Sequence, residues 1–260
     1  MIPKIIHYCW FGNNPKPKLA KKCIKTWKRY CPDYKIVEWN EDNFDISKCP
    51  LYVRQAYELK RWAFVTDYVR LKVVYENGGI YLDTDVEIKK SLDDLLQNKS
   101  YFGFEEGRYI ATGLGFGAEK GTMIVWEIMQ QYENIPFLLE NGKIDDLSCP
   151  KRNTEIFLKY GLKQDDSYQV LQDGTLILPT RCLCPLSYNT GQRSDAEDTY
   201  SIHWFSASWL SKKQLKEHKN EIKSINRKNR TDFITHLPNR IVCSILGKSR
   251  YERLKKNLKR

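Results

Sequence analysis

A helical pattern that runs into two adjacent glycines, a short apolar triplet and a pair of acids constrains the fold more than any other part of the chain. From Tyr52 to Glu76 the residues Ala56, Leu59, Ala63, Tyr68, Leu71 and Tyr75 keep a helical period, and Asn77-Gly78-Gly79 supplies a stop where the backbone can turn left-handed. Ile80-Tyr81-Leu82 follows directly; short, apolar and β-prone, it reads as a buried strand. Its polar end carries Asp83 and Asp85, two residues apart and pointing the same way if the strand stays extended.

The remaining pattern agrees with this unit. Ile2 to Trp10 reads as a short apolar strand, and Gly12-Asn13-Asn14-Pro15 punctuates the passage to a helix on which Leu19, Cys23, Trp27 and Tyr30 share a face. That helix ends at Cys31-Pro32, and Tyr34 to Trp39 reads as a second strand. Further strands are expected over Tyr101 to Phe104, Leu114 to Ala118, Leu176 to Leu178 and Tyr200 to Trp204, and helices over Met123 to Tyr132 and Asn153 to Tyr160. Strands alternating with helices predict an α/β fold with a mixed, mostly parallel sheet flanked by helices, and with ligands at the carboxyl ends of strands.

A chain of 260 residues with 41% apolar content supports one substantial core, so the expected organisation is a catalytic domain over 1–210 and an appendage over 211–260. The net charge of +11 resides in that appendage. Residues 211–260 hold 16 Lys/Arg against 4 Asp/Glu, whereas residues 1–210 hold 27 against 28. A neutral body argues against nucleic-acid binding, and a basic tail of two helices separated by Pro238 reads as an electrostatic tether. No apolar run approaches the roughly 18 residues of a membrane-spanning helix, and the start lacks the apolar stretch of a signal peptide, so the protein is expected in the cytoplasm. The eight cysteines show no C-x-x-C pair and read as reduced thiols; Cys182 and Cys184 would be a soft-metal pair or two strand residues on one face.

The chemistry centres on Asp83 and Asp85. Two carboxylates at the end of an apolar strand make a hard oxygen site suited to Mg²⁺ or Mn²⁺, with open positions that a diphosphate can fill. Such an ion acts as a Lewis acid on a departing nucleotide diphosphate. Upstream, Asp67 and Arg70 lie at i and i+3 on one helix face, as a surface ion pair or, among Phe64, Val65, Val69 and Val73, as a pair that binds sugar hydroxyls. Ala111-Thr112-Gly113-Leu114-Gly115-Phe116-Gly117 lacks phosphate-loop spacing and reads as a strand passing close to a substrate.

The run Arg61-Trp62-Ala63-Phe64-Val65-Thr66-Asp67-Tyr68-Val69-Arg70, continued through Asn77-Gly78-Gly79-Ile80-Tyr81-Leu82-Asp83-Thr84-Asp85, resembles the signature of glycosyltransferase family 32, sugar transferases with a D-x-D motif and a GT-A type fold. The opening Ile2-Pro3-Lys4-Ile5-Ile6-His7-Tyr8-Cys9-Trp10-Phe11-Gly12 is similar to that family's first strand, and Ser201-Ile202-His203-Trp204-Phe205-Ser206-Ala207-Ser208-Trp209 to its closing H…SW element. The resemblance implies that Trp10 sits near the nucleotide base, that Asp67 and Arg70 bind the donor sugar, and that Asp83 touches the ribose and the metal. It further implies that Asp85 is the main metal ligand, that His203 completes the metal shell, and that Ser208 and Trp209 donate to the diphosphate. Cys149-Pro150-Lys151-Arg152-Asn153-Thr154 is similar to a G-P-x-x-x-T element with Cys149 in place of glycine, and no catalytic role is carried over from it.

The same resemblance implies a UDP- or GDP-hexose donor, with UDP-hexose slightly favoured, a saccharide acceptor in surface-polysaccharide synthesis, and retention at the anomeric carbon. No nucleophile is marked, since Glu105, Glu106 and Asp145 are acids without a motif, so attack from the face of the departing diphosphate is expected. Two other classes compete. Ile80-Tyr81-Leu82-Asp83-Thr84-Asp85-Val86 also fits a haloacid-dehalogenase-type phosphatase with Asp83 as nucleophile and Asp85 as acid/base. A non-catalytic basic adaptor would use only the tail, where Ile241 to Gly247 followed by Arg250, Arg253, Lys255, Lys256, Lys259 and Arg260 fits an anionic membrane surface. On the transferase reading that tail docks the enzyme at the inner membrane face, near a lipid-linked acceptor.

Overall fold

In the computed structural model, which describes residues 1–207, 210–236, 247, 249–250 and 253, the chain divides into two units, Met1–Trp209 and Leu210–Arg260. The first unit begins with strand β1 (Ile5–Cys9), helix α1 (Lys18–Tyr30) and strand β2 (Lys35–Trp39), the two strands being parallel. Ala20, Cys23 and Trp27 repeat at helical spacing and are the buried residues of α1, while its lysines lie outside.

The single helix expected from Tyr52 to Glu76 is two: α2 (Leu51–Glu58) and α3 (Trp62–Asn77). Between them Lys60 takes a left-handed φ of 55°. The Lys60 amide donates to the Tyr57 carbonyl at 2.9 Å and the Arg61 amide to the Ala56 carbonyl at 2.8 Å, the paired bonds of a Schellman stop. Glycine normally occupies that position, and lysine hid the break from the sequence pattern. The second stop falls as expected, with Gly78 at φ 67° and its amide bonded to the Val74 carbonyl at 2.7 Å.

Strand β3 (Gly79–Tyr81) then pairs parallel with β1, Ile6 opposite Ile80 and His7 opposite Tyr81. The chain continues through β4 (Val86–Ile88), β5 (Ser100–Glu105), β6 (Tyr109–Ile110), β7 (Phe116–Ala118), α4 (Met123–Gln130), α5 (Cys149–Lys159), β8 (Gln169–Val170), β9 (Leu176–Leu178), α6 (Thr180–Leu183) and β10 (Ser201–His203). The main sheet has the order β2-β1-β3-β7-β5-β9-β8, with β6 on β5. Strands β1, β2, β3, β5 and β9 run one way, and β7 is inserted antiparallel between β3 and β5. This is the mixed sheet flanked by helices expected of a GT-A type fold.

Two local readings change. The strand expected over Leu114 to Ala118 starts only at Phe116, after a 3-10 turn over Thr112–Leu114 and Gly115 at φ 116°. The strand expected over Tyr200 to Trp204 does not join the main sheet; β10 pairs antiparallel with β4, His203 opposite Val86. The apolar residues fill both sheet faces. Val65, Val69, Val73, Phe102, Phe104 and Phe116 pack on one, and Trp27, Ile80, Leu82, Tyr101 and Leu183 on the other.

In the second unit α7 spans Lys212–His236. Pro238 and most of the amphipathic element expected from Ile241 to Gly247 lie outside the described residues, as do Lys255, Lys256, Lys259 and Arg260. No helix among the described residues is long and apolar enough to cross a membrane.

Candidate functional site

The two acids are brought together by a turn, not by strand alternation. Pairing with β1 persists one residue past β3, the Leu82 amide donating to the His7 carbonyl at 3.1 Å, and the Val86 amide then returns to the Asp83 carbonyl at 3.0 Å. The backbone from Asp83 to Asp85 does not stay extended but folds over at the carboxyl edge of the sheet, so the two carboxylates do not point the same way and find different partners.

Asp83 turns toward α3. Its Oδ1 lies 3.3 Å from the Arg70 guanidinium and accepts a hydrogen bond from the Tyr81 hydroxyl at 2.9 Å. The same guanidinium nitrogen lies 3.2 Å from Asp67 Oδ1, so Arg70 bridges both acids. This i, i+3 pair is not at the surface: Arg70 is 4% exposed. Its Nε–H donates to the Thr66 carbonyl at 3.0 Å, and it stands 5.1 Å above the Tyr81 ring. Burial opposes the Arg70 charge, but Asp83 and Asp67 hold it firmly protonated. Burial pushes the Asp67 carboxyl up to about 6, with Arg70 opposing the rise, and raises Asp83 in the same way. Behind Arg70, the Thr112 hydroxyl lies 3.4 Å from Nη1 and 3.2 Å from the Cys149 sulfur, and the Asn153 amide donates to both. Gly113 allows this closeness, since a Cβ there would come 2.5 Å from Asp83 Oδ2.

Asp85 turns toward β10. Its Oδ1 lies 3.2 Å from His203 Nε2, and its Oδ2 accepts the Ser206 amide at 2.7 Å. The Trp204 amide donates to the Asp85 carbonyl at 3.0 Å, and the Trp204 indole to Glu87 at 3.0 Å. Both Asp85 and His203 are buried. Burial works against the Asp85 carboxylate, yet His203 and the Ser206 amide hold it well below its ordinary range. Burial likewise opposes the imidazolium, and Asp85 raises His203 far above its ordinary value. Phe205 at φ 47° and Ala207 at φ 51° flank Ser206, so the segment that supplies this amide holds two non-glycine residues in the left-handed region.

One ligand atom from each of Asp83, Asp85 and His203 falls within 4.8 Å of the others. Two carboxylates and an imidazole fit Mn²⁺ or Mg²⁺. The Asp83 side chain, 25% exposed, leaves one side of the group open to a ligand. Cys184 borders His203 without entering the group. The thiols Cys182 and Cys184 are neither a strand pair nor a converging metal pair: Cys182 lies in α6 beside Tyr168 and Asp198, and the Cys184 sulfur meets the Leu186 carbonyl.

Trp10 follows the last residue of β1, half-buried, at the edge where the Asp83–Asp85 turn lies; its indole donates to the Asn14 carbonyl at 2.6 Å. Ser208 and Trp209 lie outside the described residues. Of the acids without a motif, Asp145 is bound to Arg152 at 2.6 Å. Glu106 accepts from the Ser187 hydroxyl at 3.3 Å and the Asn189 amide at 3.2 Å. Glu105 is half-buried, and burial lifts its carboxyl to about 7, with His203 opposing the rise and Glu106 and Asp83 adding to it. Sequence reasoning missed Tyr81 and Ser206 as partners of the acids, and Thr112, Cys149 and Asn153 as the polar groups behind Arg70. The glycine-dense run and the altered G-P-x-x-x-T element were the available signals for three of them, Thr112, Cys149 and Asn153.

Residues 17–102 match the family described as the glycosyltransferase sugar-binding region containing the DXD motif, which bears out the family resemblance over the stretch that holds Asp67, Arg70, Asp83 and Asp85. An inositol phosphoceramide mannosyltransferase of Schizosaccharomyces pombe is 36% identical over 105 residues, 36% of this chain and 27% of its own. An uncharacterized glycosyltransferase of Acanthamoeba polyphaga mimivirus is 30% identical over 105 residues, 37% of this chain and 40% of its own. The chain thus spans well under half the length of these relatives. Among solved structures, the PaToxG glycosyltransferase aligns over 61% of this chain and 69% of its own with a TM-score of 0.47 and 18% identity. A glycosyltransferase involved in glycosylation of the major capsid of PBCV-1 aligns over 85% of this chain and 100% of its own, with a TM-score of 0.43 and 14% identity.

Proposed function

We propose, from the premise that residues 17–102 carry that sugar-binding region, that this chain is a metal-dependent glycosyltransferase moving a hexose from a nucleotide-diphosphate sugar to a saccharide acceptor. One observation carries the reading: the Asp67–Arg70 pair and the Asp83, Asp85 and His203 group meet at a single turn on the carboxyl edge of the sheet. Asp85 is the principal metal ligand, with Asp83 and His203 beside it. When bound, a divalent ion supplies Lewis-acid stabilisation of the departing diphosphate.

The chain's own residues do the rest. Arg70, locked by Asp67, Asp83 and Thr66, fixes the direction of the Asp83 carboxylate, and Asp67 and Arg70 receive donor-sugar hydroxyls at the end remote from the nucleotide. Trp10 offers its ring to the base, and Ser208 and Trp209 donate to the diphosphate. Transfer proceeds with retention: the acceptor oxygen attacks from the face the diphosphate leaves, and the diphosphate takes the proton. An attempt to trap a glycosyl-enzyme should yield no adduct, and a trapped adduct would refute this route. The relatives' mannosyl transfer weighs toward GDP-mannose against the slight sequence-based lean to UDP-hexose, and their inositol phosphoceramide acceptor favours a lipid-linked one. Residues 211–260 dock the enzyme on an anionic membrane face, where a surface glycan is built; unchanged liposome binding after truncation at Ser211 would refute this.

The phosphatase reading would use Asp83 Oδ2 as nucleophile, since Oδ1 is engaged by Arg70 and Tyr81, and it calls for phosphate release from a simple phosphomonoester. A panel of nucleotide sugars with Mn²⁺, scored for nucleotide diphosphate release, tests the proposal with Asp85→Asn as control. Release from a UDP- or GDP-hexose that fails in the variant supports it; phosphate release from a generic phosphomonoester, or full activity of the variant, overturns it.

A further inference from the structure

Strand β5 brings a third acid to the carboxyl edge, beyond the matched region. Alternation assigns its side: Phe102 and Phe104 pack with the α3 face of the sheet, Tyr101 packs with the opposite face, and a Cβ on Gly103 would strike Leu183 at 2.7 Å on that opposite face. Glu105, two residues on, continues on the face of Leu183, Cys184 and His203. Asp67 and Arg70 approach from α3, so Glu105 and the sugar-binding pair flank the Asp83–Asp85 turn from opposite faces of the sheet.

Among the three acids without a motif, Asp145 is held by Arg152 and Glu106 by Ser187 and Asn189. The Glu105 carboxylate accepts no hydrogen bond from any described residue, although its side chain is half-buried and feels the charges of His203 and Asp83. A half-buried carboxylate that no protein group engages is free to exchange its water for a hydroxyl that arrives with the substrate.

We propose that Glu105 is an acceptor-binding residue, taking a hydrogen bond from the incoming acceptor and fixing its approach to the donor sugar. The inference rests on the transferase reading above. For a saccharide, a hydroxyl neighbouring the attacking one donates to Glu105; for water, one of its two hydrogens does. The acceptor oxygen bonds to the anomeric carbon as the bond from that carbon to the diphosphate breaks. The attacking oxygen's proton passes to the diphosphate, and Glu105 ends the reaction as the carboxylate it began as.

Hydrolysis of the donor tests this without knowledge of the natural acceptor, because water then fills the acceptor position. With the full chain, Mn²⁺ and the best nucleotide sugar of the panel, Glu105→Gln should lower kcat about 10-fold and Glu105→Ala about 100-fold, as expected for weakening or losing a charged hydrogen bond. The KM for donor and the affinity for Mn²⁺ should stay within about twofold, and Glu106→Gln should leave kcat within about twofold. Unchanged kcat in the isosteric Glu105→Gln would overturn the proposal. So would a KM or Mn²⁺ affinity that moves in step with kcat, since Glu105 would then act through Asp83 or His203. Rescue of Glu105→Ala by azide, with a glycosyl azide as product, would make it a nucleophile instead. If the wild-type chain hydrolyses no nucleotide sugar, the transferase reading itself fails and this inference falls with it.

Discussion

Asp83 and Asp85 lie two residues apart in one turn, yet the molecule treats them as parts of different regions. Asp83 belongs to the α3 side, where Arg70 bridges it to Asp67 inside a set of short polar contacts with Tyr81, Thr112 and Cys149. Asp85 belongs to the β10 side, where His203 and the Ser206 amide reach it from the end of the first unit. Burial raises the Asp83 carboxyl, while His203 and Ser206 overcome burial and hold Asp85 far below its ordinary range. The two carboxylates of this D-x-D pair are therefore not equivalent. One carboxylate is shared with a fixed internal cation; the other is held in its ionised form by His203 and the Ser206 amide.

Breaking the β10 side should have the largest effect. Asp85→Asn should lower nucleotide diphosphate release by on the order of 5 kcal/mol, roughly 10⁴-fold, because the developing charge loses its metal; initial rates with saturating Mn²⁺ check this. Breaking the α3 side should appear first in stability. Arg70→Met leaves Asp67 and Asp83 buried without a cation and should cost about 3–5 kcal/mol in urea unfolding. His203→Gln should sit between the two regions, weakening Mn²⁺ binding by about 10- to 100-fold, the scale on which disturbed metal shells fail, as read by calorimetric titration. The smallest effect belongs to neither side. Lys60→Gly should stabilise the chain by about 0.5–1 kcal/mol by relieving the left-handed φ at the α2–α3 stop, with kcat unchanged.

The α3 side was legible because it is one contiguous unit. Asp67, Arg70, Asp83 and Asp85 fall within a single helix, stop and strand, and helical spacing alone put Asp67 and Arg70 on one face. Exposure was not legible: a charged pair looks like a surface pair until Tyr81, Thr112 and Cys149 arrive from other segments to cover it. The β10 side was legible only through family resemblance, since nothing local announces that Ser201–His203 leaves the main sheet to pair with β4. Ser206 acts through its backbone amide, which no side-chain type marks. The α2–α3 break was hidden for a related reason, a lysine holding the position that glycine usually takes.

Separate duties for the two sides would show in a calorimetric titration of UDP and GDP in Mn²⁺ with wild type, Asp85→Asn and Asp67→Asn. Asp85→Asn should abolish Mn²⁺-dependent nucleotide binding, while Asp67→Asn should bind the nucleotide within about threefold of wild type and lose affinity only for the nucleotide sugar. Equal losses of nucleotide affinity in both variants, or Mn²⁺-dependent binding that survives Asp85→Asn, would contradict this division of duties.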